Sequence, residues 1–247
     1  MTDGATAFMP PGDRVVMISG ANRGIGLAIA RRLSADGYRL SLGARDRSAL
    51  TRATSGFEPE RTLLCRFDAT RAETTQSWLD EMIAHYGRLD ALVNNAGILR
   101  MVTLETGSEA ELDEMWEVNV KAPFRLIRAA LPHLRRAGHG RIVNIASTDA
   151  KRYRDRSVSL GYAMTKHALL ALSHAAKFTG WDDGVRTTAL CPGAVDTNLI
   201  SGIPGVTPGP GRLKPETVAS LVATVLSLPD NASVAELVVN TRLESTL

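Results

Sequence analysis

The 247-residue chain has little cysteine, lysine or aromatic side chain: two cysteines, five lysines, and 5% Phe, Trp and Tyr together. Cys65 and Cys191 stand in apolar surroundings, without the CxxC or Cys/His spacing of a zinc site or disulfide framework. They read as buried free thiols, which suits a reducing, cytoplasmic compartment. The five histidines are scattered, so no metal site is expected. No stretch approaches the ~18 consecutive apolar residues of a membrane span. The opening MTDGATAFMPPGD lacks the basic and apolar blocks of a secretory signal, and residues 1–13 read as a loose tail. The net charge of +3 is dispersed and has no aromatics interleaved, so neither nucleic acid nor a membrane is an expected partner. No lysine precedes Lys121, which gives weight to each lysine that does occur.

The 44% apolar content is ample for a packed core. It is arranged as short runs at 14–19, 39–44, 62–67, 89–95, 141–146, 185–191 and 235–240. These are nearly continuous, as in strands buried on both faces. Helical patterns lie between them, near 24–36, 46–54, 71–86, 108–137, 160–180 and 214–228. The alternation predicts an α/β, doubly wound parallel sheet with helices on both faces. With no composition break, residues 14–247 read as one domain. The segment GIPGVTPGPG (202–211) reads as a loop over a pocket.

The run VVMIS (15–19) ends in Gly20, Gly24 and Gly26, and a helical pattern follows. Glycines permit a tight turn and close approach of a phosphate to the backbone. The N-terminus of the following helix offers free N–H groups and a favourable dipole.

SGANRGIG at 19–26 resembles the cofactor turn of the short-chain dehydrogenase/reductase family, T-G-x-x-x-G-x-G, with Ser19 in place of Thr. NNAG at 94–97 is similar to the family's second motif. Asn119, Ser147, Tyr162 and Lys166 stand in the family's catalytic order, and Pro192-Gly193 with Thr197 resembles its nicotinamide-side motif. The resemblance spans about 14–240. It implies a Rossmann-type domain with a seven-stranded parallel sheet and a nicotinamide cofactor. The expected cofactor contacts are Ser19, Gly20, Asn22, Arg23, Gly24, Ile25, Gly26, Arg45, Asp68, Ala69, Asn95, Ala96, Gly97, Tyr162, Lys166, Pro192, Gly193, Val195 and Thr197. Within this set, Asp68 would hold the adenine amino group, Ala69 would lie beside the ring, and 95–97 beside the ribose. The resemblance also implies a homotetramer or homodimer built through the long helices.

NAD-binding folds of this type usually place an acid after the second strand, on the ribose 2′-hydroxyl. Here Arg45 follows that strand, and Arg23 in the glycine turn can reach the same point. Two guanidiniums suit a 2′-phosphate, so NADP(H) is the preferred cofactor. Asp46 is the reason NAD(H) stays possible: facing the ribose, it would tolerate NAD.

Tyr162 and Lys166 are four apart in a helical segment, hence on one face. A lysine cation about 4 Å from the phenol, at an effective dielectric of ~20, contributes about 4 kcal/mol. That would bring the phenol toward neutral pH. Ser147 can donate to a substrate oxygen beside the tyrosine. Pro123, four residues after Asn119, has no N–H, so the Asn119 carbonyl loses its helical partner. In the family, the matching asparagine binds a water that relays protons through the lysine.

The reaction expected is hydride transfer between nicotinamide and the carbonyl or secondary alcohol of a small molecule. A β-ketoacyl-carrier-protein reductase and a non-catalytic NADP-binding regulator are the alternatives. The carrier-protein branch usually ends in a glycine-rich tail, and AELVVNTRLESTL has no glycine. DAKRYRDRS (149–157), with four basic and two acidic residues, lies where the pocket rim is expected. Asp149 and Tyr153 are possible substrate contacts there.

Overall fold

The computed structural model describes residues 7–200, 209 and 211–241. All seven apolar runs form strands: β1 (Val15–Ser19), β2 (Arg39–Ala44), β3 (Thr62–Arg66), β4 (Ala91–Asn94), β5 (Arg141–Ile145), β6 (Arg186–Pro192) and β7 (Glu236–Val239). They pair in parallel in the order β3-β2-β1-β4-β5-β6-β7. The helices are α1 (Gly24–Ala35), α2 (Arg47–Ala53), α3 (Glu73–Tyr86), α4 (Glu109–Trp116), α5 (Ala122–Ala137), α6 (Leu160–Gly180) and α7 (Pro215–Ser227).

The near-continuous apolar runs follow from burial on both faces. Along β1, Val16 and Ile18 join a core with Ile29 and Leu33 of α1 and Val218 and Val222 of α7. The alternate residues, Val15 and Met17, join Trp78 and Met82 of α3 and Leu126 and Ala130 of α5 on the other side. The two-residue period of a strand thus feeds two cores. Strand order reverses between β1 and β4, which opens a crevice at the carboxyl ends of the strands.

One expectation needs correction. The helical pattern at 108–137 is not one regular helix: a π-helical turn, Glu117–Lys121, joins α4 to α5, with the Ala122 N–H donating to the Glu117 carbonyl. Pro123 cannot donate to the Asn119 carbonyl and its ring crowds that carbonyl, and the widened turn carries the chain past the gap. Of the tail expected at 1–13, residues 7–13 are described and contact the domain. The Met9 N–H donates to the Ser227 carbonyl at 2.7 Å, and Asp13 pairs with Arg39 at 2.9 Å. The loop expected at 202–211 lies, apart from Gly209 and Gly211, outside the described residues. Its flanks are joined by a bridge between Val195 and Leu213.

Candidate active site

The glycine turn is built from the backbone outward. Gly20 and Gly24 have φ of +67° and +55°, the left-handed region that side chains disfavour. Arg23 is the N-cap of α1, and no side chain caps that end. No acid occupies the first turn, so its dipole and amide groups remain suited to an anion. Gly26 does not line the cleft. A Cβ there would lie 2.3 Å from the Gly20 carbonyl oxygen and 2.4 Å from Asn95 Nδ2, so this glycine lets α1 sit against the turn.

The cleft at the strand ends has a volume of about 990 Å³. Of the sequence-predicted residues, Gly20, Asn22, Arg23, Gly24, Ile25, Arg45, Asp68, Ala69, Asn95, Ala96 and Gly97 line it. Ser147, Tyr162, Lys166, Pro192, Gly193, Val195 and Thr197 line the same cleft, with Thr197 beside Gly24 and Lys166 beside Gly97. Ser19 and Asn119, like Gly26, stand behind the wall. Ser19 Oγ accepts the N–H groups of Asn95 and Ala96, both at 3.0 Å. Asn95 Nδ2 donates back to the carbonyls of Ser19 and Gly20 at 2.9 and 3.1 Å. The ends of β1 and β4 are therefore stitched together beneath the turn. Asn119 is 1% exposed: its Oδ1 accepts from the Ile98 N–H at 2.9 Å. Its Nδ2 donates to the Ile98 carbonyl at 2.9 Å and to Thr165 Oγ1 at 3.1 Å. This side chain holds the β4 exit against α6.

At the end of β2, Arg45 is exposed on the cleft wall, as is Arg23. Asp46 lines the cleft next to Arg45 and is also the N-cap of α2, its Oδ1 accepting the Ala49 N–H at 2.9 Å. Asp68 Oδ1 accepts the Thr70 hydroxyl at 2.8 Å and N–H at 3.1 Å. Burial works to raise its pKa, but the Thr70 hydrogen bonds and the fields of Arg45 and Arg66 hold it below the usual carboxylate range.

Ser147 ends the β5 segment and caps a 3-10 turn, Thr148–Ala150, its Oγ accepting the Asp149 N–H at 3.0 Å. Tyr162 and Lys166 project from the first two turns of α6, and both are buried. Ser147 and Tyr162 both line the cleft, and the Ser147 hydroxyl acts to lower the pKa of the phenol. Lys166 Nζ lies 5.4 Å from the Tyr162 ring centre and donates to the Ile145 carbonyl at 2.8 Å. The expected drop of the phenol toward neutral pH is not found in the chain by itself. Burial pushes the Tyr162 pKa up, Asp149 adds to that, and the Ser147 hydroxyl opposes it. Burial pulls Lys166 down to about 8, against the fields of Cys191 and Asp149. Desolvation is the largest influence on the phenol, and Lys166 is not among the groups that shift it.

The 15-position gap between Ser147 and Tyr162 holds a loop folded on itself. Tyr153 donates to the Val158 carbonyl at 3.2 Å and does not line the cleft; Asp149, Arg154 and Ser157 do. Asn240 was not foreseen. It lines the cleft against Gly193, where a Cβ would meet its Oδ1 at 2.4 Å. Its place depends on Pro192 pairing with Val239, which no local sequence signal carries.

A family model described as short chain dehydrogenase matches residues 14–204. The chain belongs to that family and is one of its oxidoreductases. Agropine synthesis reductase of Rhizobium rhizogenes is 39% identical over 223 residues, 89% of this chain and 50% of that protein. The chain thus spans about half the length of that relative. An alcohol dehydrogenase from the archaeon Thermococcus sibiricus, solved with 5-hydroxy-NADP, is similar at a TM-score of 0.85 and 35% identity, covering 94% of this chain and 99% of that one. A 3-ketoacyl-(acyl-carrier-protein) reductase from Brucella melitensis, solved with NADH, is similar at 0.83 and 26% identity, covering 92% and 97%.

Proposed function

We propose that the chain is an NADP(H)-dependent enzyme moving a hydride between nicotinamide and the carbonyl or secondary alcohol of a small molecule, with Tyr162 as acid/base. The observation that carries this is that Ser147, Tyr162 and Lys166, the last two one turn apart on α6, line the same cleft as the glycine turn. The uncapped α1 N-terminus suits the cofactor's pyrophosphate. Arg23 and Arg45 on the cleft wall suit a 2′-phosphate, and Asp46 beside them has one oxygen taken by its helix cap. The relatives solved with 5-hydroxy-NADP and with NADH keep both cofactors in view, NADP(H) preferred and NAD(H) possible.

Bound nicotinamide supplies or takes the hydride. Ser147 Oγ already accepts from Asp149, so its own proton can be donated to the substrate oxygen beside the phenol. A phenol with raised pKa is protonated at neutral pH and is the proton source as the carbonyl oxygen gains charge, although burial makes it a weak acid until charge develops beside it. In the alcohol direction it takes that proton back. Lys166, held on Ile145 behind Gly97, is placed to follow that charge.

The decisive assay follows NADPH and NADH consumption against a carbonyl panel, with Tyr162→Phe in parallel. Loss of about 10²–10⁴-fold in kcat is expected, with cofactor affinity within about twofold. Full turnover in the variant would end the acid/base assignment. Cofactor binding without turnover of any carbonyl would favour the regulator. Faster turnover of acyl-carrier-linked ketones would favour the Brucella-like reductase. A homotetramer or homodimer through α5 and α6 is supported by exposed Phe124 and Phe178 on those helices, 45% and 79% accessible. Size-exclusion chromatography with light scattering tests it. Two buried free cysteines support a cytoplasmic setting.

A further inference from the structure

Resting on the dehydrogenase reading above, we propose that Ser159 is a positioning residue that sets the place of the Tyr162 phenol by fastening the start of α6 to the cleft-lining segment 98–102. Ser159 is the N-cap of α6 and is 2% exposed. Its Oγ accepts the N–H of Tyr162 itself at 3.1 Å and that of Val102 at 3.3 Å, and donates to the Arg100 carbonyl at 2.6 Å. A serine hydroxyl has one proton and two lone pairs, so these three bonds fill it. Ser159 stands in the cleft wall, yet with its hydroxyl filled it acts through Tyr162 and not on the substrate.

The same segment grips α6 at further points. The Gly161 N–H donates to the Val102 carbonyl at 3.2 Å. The Tyr162 carbonyl accepts from Thr165 Oγ1 at 2.8 Å. Thr165 Oγ1 in turn accepts from Asn119 Nδ2 at 3.1 Å, and Asn119 is the side chain that brackets the backbone of Ile98. The backbone of Tyr162 is thus held at both its N–H and its carbonyl by side chains that reach 98–102, where Ile98, Leu99 and Met101 line the cleft. Ser159 makes the hold on the N–H, which at a helix start has no partner inside the helix. Ser147 stands on a different element, just past the end of β5. The spacing between the serine hydroxyl and the phenol therefore depends on where the first turn of α6 is pinned. A misplacement of about 1 Å can cost about 10²-fold in rate.

The test compares Ser159→Ala, Ser159→Gly and Ser159→Thr with the wild type, at saturating NADPH and with the best ketone of the panel. Urea unfolding and NADPH binding are measured on the same samples. Glycine is nearly as good an N-cap as serine but has no hydroxyl, so the glycine enzyme stays folded while the ties to 100–102 are lost. The alanine and glycine enzymes should lose about 10–100-fold in kcat, with KM changed by less than about threefold and NADPH Kd by less than about twofold. Threonine keeps the hydroxyl and should return kcat to within about threefold of the wild type. Ser108→Ala removes the cap of α4 at comparable cost in stability and should leave kcat within about twofold. A glycine enzyme at full kcat, a loss confined to KM, a threonine enzyme no better than glycine, or an equal fall in kcat for Ser108→Ala overturns the proposal. Beside an inactive Tyr162→Phe enzyme, those outcomes leave the dehydrogenase reading standing. Full turnover by Tyr162→Phe ends the acid/base assignment and this inference with it.

Discussion

The two edges of the sheet use polar side chains in opposite ways. At the amino-terminal edge charges are spent on one another. Asp90, wholly buried, accepts from the Val15 N–H at 2.8 Å, from Arg88 at 2.6 and 2.9 Å, and contacts His139 at 3.1 Å. Arg141, nearly as buried, donates to the Leu228 carbonyl at 2.7 Å and to Asp230 at 3.0 Å. Arg14 donates to the Leu226 carbonyl at 2.9 Å. These bonds tie the starts of β1, β4 and β5 to one another and to the chain leaving α7. At the carboxyl-terminal edge the bracing is done by neutral groups, Ser19, Asn95 and Asn119, bonded mostly to backbone. Charged Arg23, Arg45 and Asp149 line the cleft instead. One edge holds the fold together and the other keeps charge turned toward a ligand.

Substitutions on either side can break this contrast. The largest effect is expected at Asp90→Ala, which leaves the buried Val15 N–H without its acceptor while the half-exposed Arg88 turns to water. A loss of about 1–3 kcal/mol is expected in urea unfolding, with the NADPH-to-NADH ratio unchanged. Burial alone would raise the Asp90 pKa, but the hydrogen bonds from His139, Arg88 and Val15 hold it at about 2, against an ordinary 3.8. The folded state therefore favours the carboxylate. This stability is present above about pH 4 and is lost as pH falls toward 2. The wild type should show that acid-limb slope, and Asp90→Ala should flatten it.

The carboxyl-terminal edge should behave in reverse. Arg23→Ala and Arg45→Ala together should cut the preference for NADPH over NADH by about 100-fold, from two charge-assisted bonds of roughly 1.5–3 kcal/mol each. Unfolding midpoints should move by no more than about 0.5 kcal/mol. Unaltered relative kcat/KM values would remove the arginines from cofactor choice. The smallest effect sharpens the boundary: Asp46→Ala should cost about 1 kcal/mol of stability through the lost α2 cap. A marked change in cofactor ratio there would mean that Asp46 faces the ribose.

Much of the fold was legible because the five inner strands β1, β2, β4, β5 and β6 are buried almost throughout and their runs are therefore nearly all apolar, while the edge strands β3 and β7 are only partly buried. The ends of β2 and α6 fall where the pattern placed them, at 39–44 and 160–180. The π turn at Glu117–Lys121 was not, since an extra residue in a helix leaves no periodic mark over five positions. In the site, the glycine turn, Ser147, Tyr162 and Lys166 were legible as residue types at fixed spacing. The buried roles of Ser19, Gly26 and Asn119 were not, because each depends on a partner distant in sequence. Asn95 and Ile98 are such partners.

The sequence by itself determined the alternation of strands and helices, the phosphate-binding turn and the one-face placement of Tyr162 and Lys166. Local periodicity and backbone geometry suffice for these. The tertiary structure alone decided the strand order, the arrival of Asn240 beside Gly193 and the upward shift of Tyr162. These arise from burial and from contacts between segments far apart in the chain, where desolvation and hydrogen-bond partners are set by packing.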